Sequence, residues 1–331
     1  MFDVYSKISE LGVPELLKSK NGKKISSVAD FEKRREEIKD ILQYNEYGYI
    51  PEAPEHLKVR ILSEDYRFSA GKGCLQSLEF TVTVNGEDFV FPVSAVIPVK
   101  EGVYPAFLHI NFRPDVPDKY MPSEEILDSG FAVFSFCYKD ITSDDDNFKD
   151  KIASYFIKGK RELSSPGKIA MWAWAAMRVM DYIQTLDYID KDNIAVCGHS
   201  RLGKTALVTG GFDERFKYVI SSNSGCCGAS ISRGKIGETV TVLSKLGSRW
   251  FCPRFPACYS GREEEMPFDQ HFLLALSVPR HILVGSAAED TWADPHSEFY
   301  SLALVNEAYA LYGMRGLVYD DFPKPDRKSV V

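Results

Sequence analysis

Nowhere in the 331 residues does an apolar run approach the ~18 residues needed to cross a bilayer, so no segment reads as a membrane-spanning helix. The opening stretch, MFDVYSKISELGVPELLKSK, has no apolar h-region. As given, the chain therefore carries no secretory leader and is expected to be cytoplasmic, although a leader removed earlier would leave the same picture. Positive charge is not in excess: 40 Lys and Arg stand against 47 Asp and Glu, a formal charge of −7. That balance argues against nucleic acid or an anionic membrane as partner. The seven cysteines include no C-x-x-C pair, and no histidine cluster has ligand spacing, so neither a metal site nor any other cofactor is expected. Scattered and odd in number, they suit a reducing compartment. Cys137 and Cys197 end apolar runs, where a reduced cysteine behaves as a small buried hydrophobe, and Cys226-Cys227 reads as a pair of turn and packing residues. Histidine is scarce too: there are six, and none lies beyond His296.

What is present is ordinary globular patterning, 44% hydrophobic and 13% aromatic, with no repeat, linker or low-complexity tract. One domain is expected over 1–331, with residues 1–50 a helical segment and 51–331 the core. Ser27 to Asp30 is a capping box, and helical spacing runs from Phe31 to Tyr47 before Gly48 and Pro51 stop it. LKVRILS and LEFTVTV alternate, Asn85-Gly86 marks a hairpin, and FVFPVSAVIP returns. From Pro105 the strands PAFLHIN, FAVFSFCY, NIAVCG, KYVISSNSG and HILVGSAAED are short and nearly continuously apolar, as strands buried on both faces are. Helices are expected over Ile169–Leu186, from Leu202 onward and over Ser297–Tyr312. An antiparallel opening followed by alternating strands and helices is the plan of the α/β-hydrolase fold, with a mostly parallel sheet between helices. The acidic run TSDDDNFKDK (142–151) reads as a solvated loop.

One segment carries two motifs at once. AVCGHSRLGKTALVTGG contains Gly198 to Thr205, which fits the phosphate-loop pattern G-x-x-x-x-G-K-[ST], and it also places Ser200 two residues after Gly198, as a nucleophile elbow does. A phosphate loop needs small residues so that backbone N–H groups can wrap the phosphates, yet His199, Arg201 and Leu202 are bulky. It also needs an acid for Mg²⁺ at the end of a neighbouring strand, and YVISSNSG has none. An elbow between the fifth strand of the hydrolase order and its helix accounts for more. The remaining alternative is a serine that merely caps the helix. In the elbow the usual glycine two residues after the serine is replaced by Leu202, with Gly203 following.

The block GHSRLGKTAL resembles the G-x-S-R-x-G-K signature of the glucuronoyl esterases, carbohydrate esterase family 15. SNSGCCGASISRGKIGE, FDQHFLLALSVPR and SAAEDTWADPHSEF resemble further blocks of its bacterial members and of neighbours often labelled acetylxylan esterases. The resemblance runs from about Pro105 to the C-terminus. It implies a serine esterase that cleaves the ester between a xylan-borne 4-O-methyl-glucuronate and a lignin alcohol, with a small carbohydrate ester or xylo-oligosaccharide as substrate. A deacetylase of acetylated xylan and a carbohydrate-binding relative without turnover are the alternatives.

By that resemblance Ser200 is the nucleophile, Arg201 reinforces the oxyanion hole, Lys204 contacts the uronate and Trp292 lines the sugar site. The acid-x-Trp-x-Asp-Pro pattern puts the catalytic acid on Asp290, and Asp294 caps the next helix. Some relatives carry a glutamate in a Glu-Ser-Gly block that here reads Asn223-Ser224-Gly225. His109 is expected to be buried structure. The fold order is serine, acid, then a histidine after the last strand, but every histidine here precedes that place. Residues 314–328 then read as a connection and the final Ser329-Val330-Val331 as the start of that strand. The expectation is a chain that stops in or before its last strand without its catalytic histidine, His296 being the one weak substitute.

Overall fold

The computed structural model describes residues 4–317 and residue 322. The alternating segments form three antiparallel strands, β1 (His56–Asp65), β2 (Gly73–Val84) and β3 (Glu87–Pro98). Burial along most of β2 alternates residue by residue, as expected of a sheet with one wet face. Asn85 and Gly86 join β2 to β3 with φ of 54° and 74°, the two positive values a tight hairpin turn requires.

The apolar runs form β4 (Tyr104–Asn111), β5 (Ala132–Cys137), β6 (Ile189–His199), β7 (Tyr218–Ser222) and β8 (His281–Gly285). All six residues of β5 are buried. The sheet order is β1-β2-β3-β5-β4-β6-β7-β8, antiparallel as far as β5 and parallel beyond it. This is the α/β-hydrolase fold. Its elbow strand, fifth in the hydrolase order, is β6 here because β1 precedes the usual set.

Helix Lys168–Ile183 is apolar on nearly all sides, with Trp172 and Trp174 wholly inside. Such a helix belongs in a core, not at a surface. Helix Arg201–Phe212 lies beside it and presses on β7: a Cβ on Gly210 would come within 2.2 Å of Val219 Cγ2. Ser27 caps helix Val28–Leu42 by accepting from Asp30 N, as its capping box requires. The helix does not run unchanged to Tyr47, however. Its last turn widens into a π-helix over Gln43–Tyr47, which carries Glu46 and Tyr47 into the core.

Residues 142–151 are not simply a solvated loop. Asp145 and Asp146 face water, but the fully buried Lys168 ammonium holds Thr142 Oγ1 at 2.7 Å and the Asn147 carbonyl at 2.5 Å. The Asp144 side chain is only 6% exposed. An acidic run looks solvated in sequence because the cations that bury part of it lie far along the chain. Cys137 is buried as expected, whereas Cys197 is only partly so, because its sheet face opens into a cavity of about 530 Å³ between the ends of β4, β6 and β7.

Candidate active site

Four parallel strands end together at Asn111, His199, Ser222 and Gly285, and the turn after His199 lifts Ser200 over that edge. Ser200 has φ 56° and ψ −127°, a backbone conformation that a residue with a Cβ avoids at a cost of about 1–3 kcal/mol. Its N–H donates to Ser222 O at 2.8 Å and its carbonyl accepts from Lys204 N at 3.1 Å, which pins the turn from both sides. The Ser200 side chain makes no capping bond to the helix, which removes the helix-cap reading. Gly198 is obligatory here, since a Cβ would stand 2.2 Å from Leu202 O. Gly203 provides the close approach expected one residue earlier. It lies against Ser221 and Ser224, small side chains at the neighbouring strand, while Leu202 turns fully inward.

Lys204 is neither solvated nor extended toward a phosphate. It is buried one helical turn below Ser200, with its ammonium 2.5 Å from Ser224 O and 3.0 Å from Glu238 Oε2. An ammonium carries three donors, and these two bonds engage two of them. Glu238 was not singled out from sequence. Its N–H donates to Trp292 O at 2.9 Å, and a Cβ on Gly225 would lie 2.8 Å from its carboxylate. Lys204, Glu238, Gly225 and Trp292 thus form one wall, with Trp292, 51% exposed, at its rim.

Arg201 points the other way. Its guanidinium bonds Asp144 and lies over the Trp250 ring at 4.6 Å, with Phe112 at 5.8 Å. Its Nε is buried and has no partner among the described residues.

Asp290 stands on the loop after β8. Asn223 Nδ2 donates to its Oδ2 at 2.7 Å, and Ala293 N to its Oδ1 at 3.1 Å. Burial pushes this carboxyl up, but the bonds from Asn223, Ala293 and Trp292, together with the nearby His199, outweigh it and hold the group below the ordinary carboxylate range. So the position where some relatives are expected to carry a glutamate holds an amide that aims the acid. Asp294 caps helix Pro295–Leu311 through Ser297 N at 3.3 Å, as expected.

The histidines fall in separate places. His109 lies on β4, where burial pushes it down to about 4 and its Nδ1 finds no partner among the described residues. His271 is buried against Pro14 O, also near 4 because of burial. His281 stacks on Tyr218 at the start of β8, and His296 stacks on Phe322 at 3.9 Å. His199 sits next to the serine, exposed, with Nδ1 3.5 Å from Ser222 Oγ. Among the described residues no imidazole hydrogen-bonds the Ser200 hydroxyl. The strand expected to open at Ser329 lies outside the described residues.

Compared with known proteins, residues 80–313 match the family model described as "Glucuronyl esterase, fungi". The chain is 29% identical over 362 residues to carbohydrate esterase MZ0003 from an unknown prokaryotic organism, covering 97% of this chain and 83% of that protein. It is 26% identical to a 4-O-methyl-glucuronoyl methylesterase of Podospora anserina, covering 88% of this chain and 59% of that longer protein. Among solved structures, the glucuronoyl esterase from Solibacter usitatus superposes with a TM-score of 0.87 at 29% identity, over 94% of this chain and 88% of that one.

Proposed function

The chain belongs to the glucuronyl esterase family, carboxylic ester hydrolases of the α/β-hydrolase fold, and on that premise we propose that it cleaves esters of a 4-O-methyl-glucuronate borne on a small carbohydrate or xylo-oligosaccharide. The observation that carries this reading is the buried Lys204–Glu238 pair one turn beneath the strained Ser200, with Trp292 at the rim. A cation paired with a carboxylate presents a donor and an acceptor side by side, the chemistry that sugar hydroxyls require. The exposed indole ring offers an apolar plate for the sugar face. An acetyl group would use none of these groups.

Ser200 Oγ attacks the ester carbonyl. The carbonyl oxygen becomes an oxyanion, which the Arg201 backbone N–H at the helix N-terminus and the unpartnered Arg201 Nε–H are suited to receive. Asp290, kept ionised by Asn223, stands where the acid that orients a histidine base stands in this chemistry; passing the serine proton to the leaving alcohol needs an imidazole, and none among the described residues reaches Ser200. The acyl-enzyme is then hydrolysed to the free uronate. The test compares turnover of a methyl or benzyl glucuronate ester with that of an aryl acetate, in wild type and in Ser200→Ala. Uronate ester turnover that disappears in Ser200→Ala supports the reading. Turnover of the acetate alone would replace it with a deacetylase.

A further inference from the structure

We propose that Asp144 is a positioning residue for the reaction: it clamps the Arg201 guanidinium onto the Trp250 ring so that the remaining Arg201 Nε–H is held for the oxyanion. This rests on the reading of Ser200 as nucleophile and goes beyond it, to a residue in the acidic run that looked like a solvated loop.

The geometry around Asp144 is that of a built clamp. One carboxylate oxygen accepts from Arg201 Nη1 and from Tyr138 OH at 3.1 Å. The other accepts from Trp250 Nε1 at 2.7 Å and Arg249 Nε at 3.1 Å. A carboxylate with a side chain 6% exposed is costly to keep ionised unless such donors surround it. Burial pushes Asp144 up, yet the Trp250 bond and the charges of Arg201 and Arg249 bring it below the ordinary range.

The charge balance is informative. A lone Asp144–Arg201 pair would cancel the guanidinium charge where an oxyanion needs it. With Arg249 on the same carboxylate, two cations share one anion, so Asp144 does not fully cancel the Arg201 charge. The Trp250 ring beneath Arg201 and the Phe112 ring on the loop after β4 fix the guanidinium plane. The Asp144 loop is itself anchored from below by the buried Lys168. What these contacts leave over is Nε, shielded from water and bonded to nothing among the described residues. A buried donor of a charged group left unpaired is costly, and a developing negative oxygen would satisfy it.

The experiment compares wild type, Asp144→Asn, Asp144→Glu and Trp250→Phe on a benzyl glucuronate ester, with a crystal structure of Asp144→Asn alongside. Asp144→Asn keeps the side-chain shape. It should lower kcat about 10–100-fold with KM within about twofold, as loss of an interaction made only in the transition state does. Its structure should show the guanidinium displaced from the indole ring, and Asp144→Glu should recover part of kcat. Trp250→Phe removes one donor to Asp144 without emptying the site, and should lower kcat less. An Asp144→Asn enzyme with unchanged kcat, or with Arg201 still seated on Trp250, overturns the inference. So does a loss of kcat that follows only the folded fraction measured by thermal unfolding. Ser200→Ala separates the two readings: uronate ester turnover that survives it defeats the proposed function, whereas the position of Arg201 in Asp144→Asn decides the clamp by itself.

Discussion

The ammonium of Lys204 lies 3.0 Å from the carboxylate of Glu238, both buried, directly beneath the turn that carries Ser200. Breaking such a pair strands a buried charge. Lys204→Met should therefore lower unfolding free energy by about 3 kcal/mol, and the double variant with Glu238→Gln should lose less than the sum. Urea unfolding of the single and double variants measures this. If the two losses simply add, the pair is not coupled.

Glu238→Gln keeps the shape of the side chain while removing its charge, and its kinetics, read on the folded fraction, test recognition. It should raise KM for a glucuronate ester about tenfold while leaving aryl acetate turnover within about twofold. Equal losses on both esters would remove the uronate role of this wall.

The conformation of Ser200 stores strain that glycine would not feel. Ser200→Gly should abolish esterase activity and raise stability by about 1 kcal/mol, because glycine accepts a φ of 56° without penalty. A destabilised Ser200→Gly protein would mean that the serine side chain stabilises the turn, contrary to the elbow reading.

Glu46 makes stability depend on pH. Burial pushes its carboxyl up to about 8, against an ordinary value of 4.5. The folded state therefore keeps a proton that the unfolded state releases. That contribution is complete below about pH 4.5 and is lost as pH rises toward 8. Buried His109 and His271, near 4 in the fold against 6.5, act oppositely: their contribution is complete above 6.5 and is lost as pH falls toward 4. Between pH 6.5 and 8 only the Glu46 effect remains of the three. Wild type should lose up to about 2 kcal/mol across that window, and Glu46→Gln should flatten the decline. Identical slopes in the two proteins would show that Glu46 does not hold its proton.

The sequence made the strands, the elbow and the Asp290 loop legible because each is local. A continuous apolar run, a Gly-x-Ser turn before a helix and an Asp-Pro helix start all declare themselves within about ten residues. The site's supporting groups were not legible for the opposite reason. Glu238 lies 34 residues from Lys204, Arg249 lies 105 from Asp144, and Asn223 lies 67 from Asp290. Only the folded chain brings these pairs together, through the sheet for Asn223 and Asp290 and through the excursion after β7 for Glu238 and Arg249. The π-turn that buries Glu46 breaks the helical period at its very end, where periodicity is weakest as a signal. Asn223 read as a missing acid, and its function as a donor to Asp290 became visible only once β7 and β8 lay side by side.

Hydrolysis of a benzyl 4-O-methyl-glucuronate ester, compared in wild type and Ser200→Ala and followed by release of benzyl alcohol, tests the central claim most directly. The account predicts slow release by wild type, since no imidazole among the described residues reaches Ser200, falling to background in Ser200→Ala, with Ser200→Ala remaining folded by circular dichroism. Equal release by the two proteins, or release by wild type from aryl acetates but never from the glucuronate ester, would contradict it.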